Sequence, residues 1–222
     1  LNNVAATTVN CGASSATANM STSAVGTFSG AITLSASGNP AGTTVSFGTN
    51  PVTTGNSTNI TLNNTASLTP GTYNVTINGS SPSASNQTTT VSFVVPGITT
   101  QPVGGTICSG SNYTFNAAVV GNGATYQWQV STNGGSSYSN ISGATLASYT
   151  LSNAPVSANG NMYQVVVSGI CTNPVTSNAA TLIVNQLPTV NAASNLPAVC
   201  TGTPVTLTAT GANTYSWTPG NQ

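Results

Sequence analysis

Residues 108–131, CSGSNYTFNAAVVGNGATYQWQVS, and residues 162–171, MYQVVVSGIC, decide the fold. In the first run Tyr113, Phe115, Ala117 and Val119 alternate with polar residues. Tyr126, Trp128 and Val130 then repeat the pattern, as do Tyr163, Val165 and Val167. Apolar residues at every second position belong to strands with one face on a core and the other in water. Three such strands, the middle one carrying a Trp, predict a β-sandwich, and the remainder of the chain is expected to hold further copies or connections.

The chain has 222 residues and not one Lys, Arg, Asp, Glu or His. At the usual rate of about one charged residue in four, such a run has a chance probability on the order of 10⁻²⁸. Two readings account for it. Either the surface is built from Asn, Gln, Ser and Thr, or amides stand in this sequence where the gene encodes carboxylates of nearly the same shape; mass spectrometry separates the two.

Taken as written, the composition excludes most chemistry, and no catalytic, cofactor-binding or metal-binding residue is assigned. General acid and base work relies mostly on His, Asp, Glu and Lys, and Ser or Thr nucleophiles need a base beside them. Four scattered Cys give no metal-ligand spacing. Phosphate backbones are held by Lys and Arg, so nucleic acid is not an expected partner. Zero net charge removes long-range repulsion between copies and favours association. No apolar run approaches the roughly 20 residues of a membrane helix, so no membrane insertion is expected. Leu1-Asn2-Asn3 does not read as a signal peptide, and a mature or excised soluble segment is expected.

Along the chain, residues 1–18 alternate little and read as an N-terminal segment or linker, the tail of something upstream, or as a loose first strand from Thr7 to Cys11. Residues 19–97 read as a first sandwich, with strands around Ile32 and Leu34, Val45 and Phe47, Ile60 and Leu62, Tyr73 to Ile77, and Val91 to Val95. Gly-, Pro- and Asn-rich turns separate them. Val95-Pro96-Gly97-Ile98 is too short a junction to leave neighbouring sandwiches much freedom, which predicts a stiff rod. Residues 98–186 read as a second sandwich, in which Asn133-Gly134-Gly135 is expected to form a tight hairpin turn. Aligning Cys108 with Cys200, and Tyr126-Gln127-Trp128 with Tyr215-Ser216-Trp217, makes residues 187–222 the truncated start of a third repeat. Half a sandwich leaves apolar faces and strand edges uncovered. No helix of note is expected.

The pattern resembles tandem immunoglobulin-like, Greek-key sandwiches. The run Gly38 to Ser80 resembles a sandwich module downstream of the catalytic domain in secreted metalloproteases of Bacteroidetes. Residues 126–145, YQWQVSTNGGSSYSNISGAT, with YQVVVSGIC, resemble the Ig-like repeats of very large secreted and surface-attached proteins of the same bacteria. That family implies Asp where Asn133 stands and Arg where Gln164 stands. It carries no catalytic residue over to this chain.

Cys108 and Cys171 sit at the two ends of one predicted sandwich. Their pairing is expected as a structural disulfide clamping a sandwich end, removing about 4 kcal/mol of unfolded-state entropy. Cys11 and Cys200 then lack partners in their own units: the mate of Cys200 would lie beyond Gln222, and a Cys11 to Cys200 bridge is the alternative. Trp128 and Trp217 are expected as core residues rather than sugar-stacking platforms. Tyr73 and Tyr163 are expected in the cores too, resembling tyrosine corners. Asn-x-Ser/Thr sequons such as Asn56, Asn112 and Asn140 are what an Asn- and Thr-rich chain produces by chance.

The functional expectation is a non-catalytic stalk, adhesin or filament segment of a secreted, extracellular or cell-surface protein, without cofactors. Its expected partners are other copies of itself or neighbouring repeats, with glycans or cell-surface proteins as further candidates. An accessory region of a secreted protease or other hydrolase is the alternative, and a carbohydrate-binding module a third reading.

Overall fold

The computed structural model describes residues 1–24 and 26–218; residues 219–222 of the third unit lie outside the described residues. Among the described residues the chain is all β. The exceptions are two single turns of 3-10 helix, Thr65–Ser67 and Val156–Ala158.

The first sandwich contains β1 (Thr7–Thr8), β2 (Ser15–Ser21), β3 (Ala31–Ser37), β4 (Thr44–Phe47), β5 (Val52–Thr53), β6 (Ser57–Asn63), β7 (Gly71–Ser81) and β8 (Ala84–Val95). One sheet runs β1-β8-β7-β3-β5 and the other β2-β6-β4. Ala16, Ala18 and Met20 from β2 meet Ile60 and Leu62 from β6, and opposite them lie Val75, Ile77, Val91 and Phe93 from the β7-β8 hairpin. The alternation of these strands therefore points inward from both sheets, as sandwich packing requires.

Residues 1–18 are thus not a linker, and a short first strand does begin at Thr7. β1 pairs in parallel with the end of β8, Thr7 opposite Phe93 and Thr8 opposite Val94, and β2 pairs with β6 along its whole length. The inward positions of β2 are mostly Ala, whose small side chain gives a weak apolar signal although Ala18 is fully buried.

The second sandwich contains β9 (Gly97–Thr100), β10 (Gly105–Cys108), β11 (Tyr113–Asn116), β12 (Ala118–Val120), β13 (Thr125–Ser131), β14 (Ser139–Asn140), β15 (Ser148–Leu151), β16 (Met162–Ser168), β17 (Val175–Thr176) and β18 (Ala180–Asn185). The larger sheet runs β10-β18-β16-β13-β14, with β17 also on β16. The pairs β11-β15 and β9-β12 cover its inner face. Trp128, opposite Val165 in the β13-β16 pairing, has no exposed surface. Its indole Nε1 donates to the Leu146 carbonyl at 2.9 Å, so the polar edge of the ring is satisfied inside the core. Phe115 packs against it and stacks on Tyr163 at a centroid distance of 4.5 Å, with Tyr149 close to both.

The Asn133 turn differs from its expectation. β13 ends at Ser131 and β14 begins at Ser139, so residues 132–138 form a long loop rather than a two-residue turn. Gly134 and Gly135 take the positive φ values, 68° and 89°. Asn133 instead organises the loop through its side chain, accepting from Ser137 N at 3.0 Å and from Ser131 Oγ at 2.8 Å.

After β18 the chain forms a third unit, a hairpin of β19 (Asn191–Ser194) and β20 (Leu207–Thr210). Leu187, Val190, Leu207 and Tyr215 are exposed there, and Trp217 keeps 51% of its surface. Trp217 is therefore not a core residue here, because among the described residues no second sheet covers the hairpin. The architecture is a series of immunoglobulin-like β-sandwiches.

The outer faces carry amide and hydroxyl pairs in the places ion pairs usually take. Thr17 and Thr61 hydroxyls meet at 2.9 Å, Asn19 Nδ2 donates to Asn59 Oδ1 at 3.1 Å, and Thr114 meets Thr150 at 2.8 Å. Gln164 Nε2 donates to Gln129 Oε1, and Gln129 Nε2 to Asn140 Oδ1, each at 2.8 Å. Such cross-strand pairs contribute roughly 0.2–1 kcal/mol each, and none depends on screening by salt.

Candidate functional site

The chemistry-bearing residues of this chain are few, and the structure gathers two of its four cysteines at one place, the junction between the sandwiches. β8 ends at Val95 and β9 begins at Gly97, and Val95, Pro96, Gly97 and Ile98 are all buried. A connection buried throughout is part of the packing rather than a tether. Gly97 lies so close to Pro70 of the first sandwich that a side chain there would run into the proline ring. Gly121, at φ 121°, sits just past β12; a Cβ there would lie 3.0 Å from Pro96 Cβ and 3.1 Å from Ile170 Cγ2. Both positions need the absence of a side chain to let the units close up.

Across this junction Cys11 is bonded to Cys171, with a Cα–Cα distance of 5.7 Å and a sequence separation of 160. The expected Cys108 to Cys171 bridge does not form, and Cys108 and Cys200 are exposed thiols. The reason is topological. β10, which ends at Cys108, lies parallel to β18 with Cys108 opposite Asn185, at the end of the second sandwich where the chain leaves. Cys171 follows β16 and neighbours Ile170, which packs beside Gly121 and Pro96 at the end where the chain enters. The two thiols thus belong to opposite ends of one sandwich. Cys11, carried just beyond β1 at the exit of the first sandwich, is the thiol that meets Cys171. The Cys11 to Cys200 alternative falls with the same observation.

The aromatic residues singled out by the sequence are placed as follows. Tyr73 is half-buried against the first core, and its hydroxyl donates to the Thr69 carbonyl at 2.8 Å, a bond back to backbone just upstream, as in a tyrosine corner. Tyr163 is buried in the aromatic cluster of the second core, and its hydroxyl meets the Asn161 side chain. Burial raises the Tyr163 phenol above its ordinary value of 10.0; the Asn161 bond works against that, and the neighbouring Tyr149 adds to it. Burial also raises Tyr149. Tyr138 is half-buried beside Gly135 and Met162 in the Asn133 loop.

Two recesses lie among the described residues. A recess of about 360 Å³ lies at the far end of the first sandwich, between Leu1, Phe28, Ile32 and the β7-β8 turn, and its side chains are apolar, Ser or Gln. A shallower one of about 190 Å³ lies beside Leu146 and Tyr149. Neither is lined by a His, Asp, Glu, Lys, Arg or Cys side chain. Among the described residues no group of His, Cys, Asp and Glu is placed to hold a metal ion, and no helix is long and apolar enough to cross a membrane.

A family model described as a domain of unknown function (DUF8696) matches residues 95–186, the junction together with the second sandwich. No curated protein matches the chain. Similar solved structures include three tandem-Ig fragments. Against DIP-gamma IG1+IG2 the identity is 11%, covering 83% of this chain and 95% of that one, with a TM-score of 0.45. The N-terminal Ig1-2 module of the Drosophila receptor protein tyrosine phosphatase DLAR is 14% identical, covering 83% and 97%, with a TM-score of 0.34. The I-band fragment I67-I69 from titin is 11% identical, covering 94% and 74%, with a TM-score of 0.38.

Proposed function

We propose that this chain is a non-catalytic, structural segment of a secreted, surface-attached multidomain protein, a stalk that holds other parts of that protein away from the cell. The observation that carries the reading is the stapled junction: two sandwiches joined by a buried four-residue connection and a disulfide between them. A staple of this kind suits an oxidising compartment outside the cytosol, and it resists bending where a free linker would yield. The composition agrees, since the chain has no side chain of the usual proton-transferring types. Contacts with copies or neighbouring repeats would run through strand edges and neutral amide surfaces.

The test is immunogold labelling of intact producing cells with antibody against the two sandwiches. Gold at the cell surface is the expected result, and gold confined to the cytoplasm would overturn the reading.

A further inference from the structure

The staple at the first junction has a counterpart, half assembled, at the second. Cys11 follows a short strand, β1, that lies parallel to the last strand of its sandwich, with Val9 N bonded to the Val94 carbonyl at 2.8 Å. Cys108 ends an equivalent strand, β10, parallel to the last strand of the second sandwich, and Ser109 N bonds to the Asn185 carbonyl at 2.8 Å. Each cysteine therefore stands beside the point where its sandwich hands the chain on. Leu187, two residues past β18, is tied to that place by its N–H donating to Ser109 Oγ at 3.3 Å.

The unit that follows is also built alike. In the second sandwich β9 pairs antiparallel with β12, Gly97 opposite Val120, and Gly121 then packs against Pro96. In the third unit β19 pairs antiparallel with β20, Asn191 opposite Thr210, and Gly211 then packs on the Thr189 backbone, so closely that a Cβ would meet its carbonyl. Both glycines precede a Tyr-x-Trp triplet, ending at Trp128 in one case and Trp217 in the other. In the second sandwich, the loop that carries Cys171 rests on that glycine. A loop in the same place on the third unit would rest on Gly211 and face Cys108.

We infer that Cys108 is the first half of a second inter-sandwich disulfide. Its partner is a cysteine in the loop after the β16-equivalent strand of a sandwich completed on the β19-β20 hairpin. The strands that complete it would flank Trp217 in its own sheet, as β16 flanks Trp128, and bury Leu207. Bond formation is thiol–disulfide exchange with an oxidised dithiol carrier: the two thiols give up two protons and two electrons, and the carrier's disulfide becomes two thiols. The repeat then becomes self-stapling, each sandwich locked to the next by one cysteine from its exit and one from the other's entrance. The inference deepens the stalk reading but can fail separately. A free Cys108 would end it while leaving the stalk standing, and cytoplasmic gold would end the stalk while leaving the geometry of the first staple.

Two measurements test it. The native protein carrying this sequence is digested with pepsin in acid without reductant, which the absence of Lys and Arg requires in place of trypsin and which suppresses exchange by keeping thiols protonated. Mass spectrometry should find Cys108 joined to a cysteine following the β16-equivalent strand of the next sandwich. Recovery of Cys108 as a thiol, joined to Cys200, or joined to Cys108 of a second copy overturns the inference. In the second measurement, residues 1–217 are continued by a second copy of residues 129–186, marked by Thr172→Ala. The reactive thiols should fall from two, Cys108 and Cys200, to one, with Cys108 joined to the marked copy. Three reactive thiols in a chain whose Trp217 fluorescence has shifted to the blue, showing the third sandwich closed, would overturn it as well.

Discussion

Trp128 and Trp217 end the same triplet, yet one has no exposed surface and the other keeps half of its own. Both follow an antiparallel pair of strands and a glycine packed on the incoming backbone. What differs is what lies across from them. The β11-β15 and β9-β12 pairs face Trp128 and β16 flanks it in its own sheet, whereas the described part of the third unit is a hairpin alone. Burial is thus conferred by the covering strands and not by the motif, which marks only the face to be covered.

The sharpest way to break the comparison is to truncate both indoles. Trp128→Ala should cost the second sandwich about 3–5 kcal/mol, as for a fully buried aromatic, read as a lowered denaturation midpoint. Trp217→Ala in the same chain should move the midpoint by less than about 0.5 kcal/mol, as at an exposed position. An equal loss at both would mean that the hairpin has a covered core after all.

The next effect concerns the junctions. Cross-linking a loop of about 160 residues removes on the order of 5 kcal/mol of unfolded-state entropy, and because the loop spans both sandwiches each feels only part of it. Cys11→Ser should therefore destabilise the pair by about 2–4 kcal/mol and increase the angular spread between the sandwiches seen by small-angle scattering. Cys108→Ser in this chain should do neither. Should Cys11→Ser leave the scattering unchanged, the buried connection alone would be holding the two sandwiches together.

A smaller contrast separates the two tyrosines. Tyr73→Phe removes the hydroxyl bond to Thr69 and should cost about 1 kcal/mol. Tyr163→Phe keeps the ring stack with Phe115 and should cost less, giving up only the contact with Asn161.

The mildest perturbation is alkali. Because burial raises Tyr149 and Tyr163 above their ordinary value of 10.0, the folded state holds those protons more tightly than the unfolded chain does. The stability this reflects is intact below pH 10.0 and is lost as pH rises through the folded values. A denaturant series above pH 10.0 should show the second sandwich losing stability as pH rises. Between pH 5 and 8, and across salt concentrations, both sandwiches should be nearly indifferent, for want of titrating side chains.

Much of the fold is legible in the residues because strand alternation is a local property. Tyr113, Phe115, Trp128, Tyr163 and Val165 announce their faces by size, and the structure buries them or packs them at the core edge. The same alternation in Ala16, Ala18 and Met20 is muted by alanine, so the start of β2 reads as a linker. The Asn133 loop is longer than its residues suggest, because Asn-Gly-Gly supplies the angles for a tight turn without stating how many residues the turn contains.

What the sequence determined by itself is therefore the β class, the repeating unit and the lack of ordinary proton-transfer side chains, all matters of composition and short-range pattern. Only the tertiary structure decided which cysteines meet. Pairing depends on which end of a sandwich each thiol occupies, and that follows from the parallel placement of β1 and β10 beside the final strands, a long-range contact that no spacing encodes.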